Sequence, residues 1–134
     1  MKKILMGCLM LAALLSCGTA KEPKTLTLMS YNVGVFSKYQ ENSMPGIAQL
    51  IRETGATLVG MSELDSCNTR HNAYQVKDLA DMLEWDYLFS RAIPYREGAY
   101  GDGIVSEKPA LAKYCVPLSQ AGGAEARGMA VVET

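Results

Sequence analysis

The chain has 134 residues, 49% of them hydrophobic and 20% charged, which suits one modest globular domain and excludes a disordered chain or a multi-span membrane protein. Its formal net charge is −1 at pH 7, and −3 without Lys2 and Lys3, so no domain-wide positive field draws it to nucleic acid. A local basic groove is compatible with either value, because net charge does not describe distribution.

Lys2 and Lys3 followed by the apolar run 4–15 have the layout of an export signal. The run is twelve residues long, short of the roughly 20 that a membrane-spanning helix needs. Leu14-Leu15-Ser16-Cys17 resembles a bacterial lipobox, in which the cysteine takes a lipid and becomes the new N-terminus. The plainer alternative is an ordinary cleaved signal with a chance cysteine. The lipobox reading predicts a signal peptide over 1–16, a lipid on Cys17, a polar tether over 17–24 and a folded part over 25–134. It places the protein in the cell envelope, at the outer membrane or facing the periplasm, with the membrane as a partner through Cys17. Cys8 leaves with the leader, so Cys67 and Cys115 remain, either as a disulfide or as two free thiols. Cys67 and His71 alone cannot supply the four ligands of a structural zinc site.

Residues 25–32 alternate β-formers with other residues and read as a strand ending at Asn32. Residues 36–43 are polar and irregular, as in a surface loop. A helix follows, capped by Asn42 or Ser43, with Pro45 in its first turn and Gly55 at its end. Its apolar face carries Ile47, Leu50 and Ile51. Residues 57–64 form the next strand. A second helix over 73–84 starts at Asn72, with Gln75 placed as in a capping box, and buries Val76, Leu79, Ala80 and Leu83. Residues 87–95 read as a strand that leaves the sheet at Pro94. Residues 96–99 make a turn with Gly98. Residues 100–106 form a short strand in which Gly101 and Gly103 permit a close approach or a bend. Residues 111–118 and 128–133 are two more strands, joined by a flexible loop at 120–125.

The most informative stretch is Leu58-Val59-Gly60-Met61-Ser62-Glu63-Leu64-Asp65, with Asn68-Thr69-Arg70 after it. Leu58 to Met61 read as a buried strand, after which polarity changes abruptly. Glu63 and Asp65 are two apart, which along a regular strand puts both carboxylates on one side. Such a pair repels and has raised pKa values unless a cation compensates. A hard cation such as Mg²⁺ suits it, since Mg²⁺ takes a few carboxylate oxygens together with water and phosphate. The bland alternative is a strand end whose acids are solvated, and for these eight residues alone it is the stronger reading.

Four separate stretches resemble the endonuclease/exonuclease/phosphatase superfamily, which includes deoxyribonuclease-I-like metal-dependent phosphoesterases. They are Leu28-Met29-Ser30-Tyr31-Asn32-Val33, the stretch from Leu58 to Arg70, Tyr100-Gly101-Asp102-Gly103-Ile104-Val105-Ser106 and Glu125-Ala126-Arg127-Gly128. They occur in the family's order and span nearly everything after the tether. The resemblance implies a mixed α/β fold, a four-layer αββα sandwich of the deoxyribonuclease-I-like type, of which this chain carries about the first half. It implies that Asn32 helps to hold the phosphate and metal centre, and that Glu63 binds Mg²⁺ or Mn²⁺. Asp65 and Arg70 fall where the family's loop after the glutamate faces the cleft. Arg70 then either contacts phosphate as a fork or pairs with Asp65. Glu125 and Arg127 match a structural stretch, and Asp102 takes no catalytic role.

The departure is the family's second half. Its Asp-x-Asn pair and its late Asp-His pair have no match, and His71 lies in the early loop, away from the position of the family's base. The expected function is therefore Mg²⁺- or Mn²⁺-dependent hydrolysis of a phosphodiester or phosphomonoester, inactive in this chain by itself. The alternative is a non-catalytic surface lipoprotein, a binding module on the same fold. A serine or cysteine hydrolase using His71 ranks third, because no Gly-x-Ser-x-Gly turn is present. His71 is expected to face solvent. An incomplete second sheet is expected to leave apolar faces open.

Overall fold

The computed structural model describes residues 25–118, 120, 122–123 and 125–134. Cys17, with the predicted signal and tether, lies outside them. The described chain opens with β1 (Leu28–Asn32), a 3-10 turn (Gly34–Phe36), α1 (Met44–Thr54), β2 (Leu58–Ser66) and α2 (Gln75–Leu83). It continues with β3 (Asp86–Tyr95), β4 (Gly98–Ser106), β5 (Ala112–Leu118) and β6 (Arg127–Glu133). A four-stranded sheet has the order β1-β2-β4-β3, and β5-β6 form a separate antiparallel ribbon. β1 and β2 are parallel, as a strand–helix–strand unit requires, while β4 is antiparallel to both β2 and β3.

The two faces of the sheet are covered differently. Val59 and Met61 alternate with less buried neighbours and, with Val105, join Ile47, Ala48, Ile51, Val76, Leu79 and Ala80 in a single core. Ala48, Ile51, Val76, Leu79 and Ala80 are the 3- and 4-spaced stripes of α1 and α2. Across the sheet, the ribbon lies over β3 and β4, and among the described residues β1 is an edge strand. A Cβ at Gly128 would sit 2.9 Å from Ser90 Oγ, so glycine permits the ribbon to come this close. Helix layer, sheet and two-stranded ribbon thus follow one another, matching the expected layering over the described residues.

Local differences from expectation have physical causes. Residues 37–42 are exposed, as a surface loop requires, but Phe36 at its start is buried with Val33 and Val35. The cap of α2 is not the predicted box. Tyr74 holds the N-cap position without a side-chain cap, and Gln75 turns inward, where Oε1 accepts from Asp65 N–H at 2.8 Å and Nε2 donates to Val35 O at 2.8 Å. Pro94 stays in the sheet opposite Ala99. The β3–β4 turn is made by Arg96 and Glu97, both left-handed, at φ 45° and 69°. Cys67 and Cys115 are free and exposed, which selects the two-thiol alternative.

Candidate active site

The site forms where the parallel pair β1–β2 ends. Asn32, the last residue of β1, lies opposite Ser62, and a bulge interrupts β2 between Met61 and Leu64. Glu63 occupies this bulge with φ 62°, a conformation that a residue with a Cβ adopts only under constraint. The bulge breaks the two-residue alternation and sends Glu63 and Asp65 to different partners. A shared two-carboxylate metal site, as regular alternation would give, is therefore not formed.

Asn32 orients Glu63. Its Oδ1 accepts from Gly34 N–H at 2.9 Å, which leaves Nδ2 free to donate to Glu63 Oε1 at 3.0 Å. Lys38 Nζ reaches Glu63 Oε2 at 3.2 Å. The Asn32 amide holds the Glu63 carboxyl below the ordinary range, against the effect of burial and with help from Lys38. Glu63 in turn holds the Lys38 ammonium above its ordinary value. Lys38 lies in the stretch read as an uninformative loop, and no spacing in the sequence marked it. Its position follows from the 3-10 turn, in which Val35 and Phe36 take φ 49° and 55° and swing the chain back over the strand ends.

Asp65 has no exposed side-chain surface. Arg70 grips it as a fork, with Nε at 2.8 Å from Oδ2 and Nη2 at 2.7 Å from Oδ1, and His71 Nδ1 lies 2.6 Å from Oδ2. Burial pulls the Asp65 carboxyl upward, but Arg70 and His71 outweigh it and keep the carboxyl below the ordinary range. Of the two alternatives for Arg70, pairing with Asp65 is the one adopted. The guanidinium still borders the cleft, stacked 4.7 Å from the Tyr95 ring and 5.7 Å from the Tyr100 ring. His71 does not simply face solvent, because Ser37 Oγ also lies 2.9 Å from its Nε2.

One cleft brings Lys38, Glu63, Arg70 and Tyr100 together with Arg127, which enters from the ribbon. Among the described residues no three His, Cys, Asp or Glu side chains cluster as a ready metal cage. A single, partly exposed carboxylate nevertheless fits Mg²⁺ or Mn²⁺. Mg²⁺ usually keeps several waters and is bound through one or two carboxylates plus substrate phosphate. Glu63 supplies a hard oxygen pair of this kind, and its present cationic contact is an exposed lysine. Each of its three cations is paired with a carboxylate, Lys38 with Glu63, Arg70 with Asp65 and Arg127 with Glu125, so the charges of the cleft are balanced.

No protein-family model matches the chain, and no curated protein matches it. Solved structures do. An endonuclease/exonuclease/phosphatase from Beutenbergia cavernae DSM 12333 superposes with a TM-score of 0.61 at 22% identity, over 80% of this chain and 33% of that one. An endonuclease/exonuclease/phosphatase family protein from Leptotrichia buccalis C-1013-b gives a TM-score of 0.63 at 15% identity, over 81% of this chain and 48% of that one. A mannosyl-6-phosphatase from Bacteroides thetaiotaomicron VPI-5482 gives a TM-score of 0.51 at 23% identity, over 72% of this chain and 38% of that one. The chain thus spans between a third and a half of the length of these structures. Its fold is that of the endonuclease/exonuclease/phosphatase proteins, over the part of that fold that it covers.

Proposed function

We propose that this chain provides the Glu63-bearing part of a Mg²⁺- or Mn²⁺-dependent phosphoesterase. The observation that carries this reading is the Asn32–Glu63 pair, 3.0 Å apart at adjacent strand ends, in a cleft bordered by Lys38, Arg70 and Arg127. Glu63 would hold the ion, with Asn32 fixing the carboxylate. The bound ion supplies Lewis acidity toward a phosphoryl oxygen. The chain's own residues do the rest of the placement. Lys38 would turn from Glu63 to the phosphate, and the free edge of Arg70, locked by Asp65, offers N–H donors at a fixed angle. Asn32 holds Glu63 ionised and aimed.

The Glu63–Lys38 ion pair favours a second reading, a non-catalytic binding module, in which the pair is a permanent surface contact. In the whole protein, Mg²⁺-dependent hydrolysis of bis(p-nitrophenyl) phosphate separates the two. The enzyme reading expects Glu63→Ala to lower the rate about 100-fold or more. An unchanged rate removes Glu63 from the site. The 134-residue chain alone is expected to turn over little or none. Export and anchoring through Cys17 belong to the same proposal. They predict radioactive fatty acid incorporation that disappears in Cys17→Ser, and labelling that persists excludes the anchor.

A further inference from the structure

Ser37, His71 and Asp65 are linked in a row at the cleft, and phosphoester cleavage as proposed above leaves that link unused. Ser37 Oγ is 2.9 Å from His71 Nε2, and His71 Nδ1 is 2.6 Å from Asp65 Oδ2. The carboxylate assigns the tautomer. Asp65 accepts, so Nδ1 carries the proton and Nε2 turns its lone pair to the Ser37 hydroxyl. A serine hydroxyl donating to an imidazole whose far nitrogen is held by a buried carboxylate is the arrangement that activates a nucleophile. From this geometry we propose that Ser37 is a nucleophile toward activated esters, with His71 as its general base and Asp65 as the residue that positions His71.

The supporting frame is rigid. Arg70 holds both oxygens of Asp65, so the carboxylate cannot rotate away from His71. The His71 N–H donates to Asn68 Oδ1 at 3.0 Å, and the buried Asn68 donates through Nδ2 to Ala99 O at 3.2 Å. Ser37 follows directly on the left-handed pair Val35 and Phe36, a strained turn of the kind that presents reactive groups. Lys38 and Arg70 line the same cleft as Ser37, where negative charge would develop on the substrate oxygen.

The main chain narrows the substrate class. The N–H groups of Ser37 and Lys38 both donate to Gly34 O, at 3.2 and 2.9 Å, so these amides are taken, and the nearby cations Lys38 and Arg70 are themselves paired with Glu63 and Asp65. With little free oxyanion stabilisation, this favours carboxylic esters with an acidic leaving group. Ser37 Oγ bonds to the carbonyl carbon as its proton passes to His71 Nε2. The bond to the leaving oxygen then breaks, and that oxygen takes the proton. Water next adds to the acyl-serine, gives its proton to His71, and Ser37 departs as the hydroxyl.

The test is covalent labelling of the whole chain by fluorophosphonate–biotin in EDTA, where no divalent ion contributes and the Glu63 reading is not at stake. The expected result is one adduct, formed with loss of fluoride and mapped to the peptide containing Ser37. It disappears in Ser37→Ala and slows about 100-fold or more in His71→Gln. No adduct on the wild-type protein, or an equal rate in either variant, overturns the proposal. For Asp65, long-range ¹⁵N spectra report the imidazole tautomer. In a folded Asp65→Asn variant the Nδ1–H pattern is lost together with labelling, and an unchanged pattern removes Asp65 from its positioning role.

Discussion

Asp65 is the most constrained charge in the site. Its carboxylate is fully buried and receives Arg70 through two nitrogens and His71 through a third. Removing Asp65 takes the shared acceptor from Arg70 and His71, both of which keep some solvent contact. Asp65→Ala is therefore expected to lower stability by about 2 kcal/mol, read as an earlier midpoint in urea. An Asp65→Ala, Arg70→Met double variant is expected to recover part of that loss, and a purely additive cycle contradicts the pairing. Glu63 differs, since it is partly exposed and held by one amide and one exposed lysine. Of these residues, Asn32, Glu63, Asp65 and Arg70 were singled out through the resemblance of their stretches, since the strand end by itself favoured solvated acids. Lys38 and Ser37 were not, because nothing in an irregular polar stretch says where a left-handed turn will carry it. His71 was visible only as a lone loop histidine, and its hydrogen bonds to the nearby Asp65 and the distant Ser37 give it a place.

At the level of elements, the β5–β6 ribbon is tied to the sheet at its far end by Asp86. That carboxylate accepts from Tyr87 N–H and Ala110 N–H, each at 2.9 Å, and pairs with Lys113 of β5. Burial opposes ionisation of Asp86, but Lys113 and the two amides prevail and hold its carboxyl below the ordinary value. A depressed carboxyl contributes stability that is fully present above its unfolded value, about 4, and is lost as pH falls through the lower folded value. Asp86→Asn should thus flatten the stability curve below about pH 4, with little change in slope near pH 7. Urea unfolding at several pH values checks this, and a variant curve parallel to the wild type contradicts it. The order of strands and helices was readable from apolar periodicity and from Gly55. The pairing of β5 with β6, and the inward turn of Gln75, depend on contacts between distant segments. Gln75 has the residue type and spacing of a capping box, yet it bonds Asp65 and Val35 because both lose solvent where α2 meets the sheet end.

For the molecule as a whole, the uneven cover of the sheet has a consequence in solution. The ribbon lies over β3 and β4, while among the described residues β1 is an edge strand on which Leu28 is 63% exposed, with Leu26 just before it 56% exposed. An uncovered edge with apolar side chains is a template for pairing with another chain. The 134-residue chain is expected to self-associate as concentration rises, and Leu28→Lys to shift sedimentation toward the monomer. Unchanged sedimentation in that variant places the association elsewhere. The layer order was legible from the resemblance of four stretches, and solved structures of 15% to 23% identity share it over 72% to 81% of the chain. The central claim concerns Glu63 as the carboxylate that receives a divalent ion. Titration of Mn²⁺ into the ¹⁵N-labelled protein tests it most directly, because the ion broadens nearby amide signals whether or not turnover occurs. The account predicts that the Asn32 side-chain amide and the Gly34 and Glu63 amides broaden first, and that this selectivity vanishes in Glu63→Ala. Broadening centred on another part of the chain, or an identical pattern in Glu63→Ala, would contradict it.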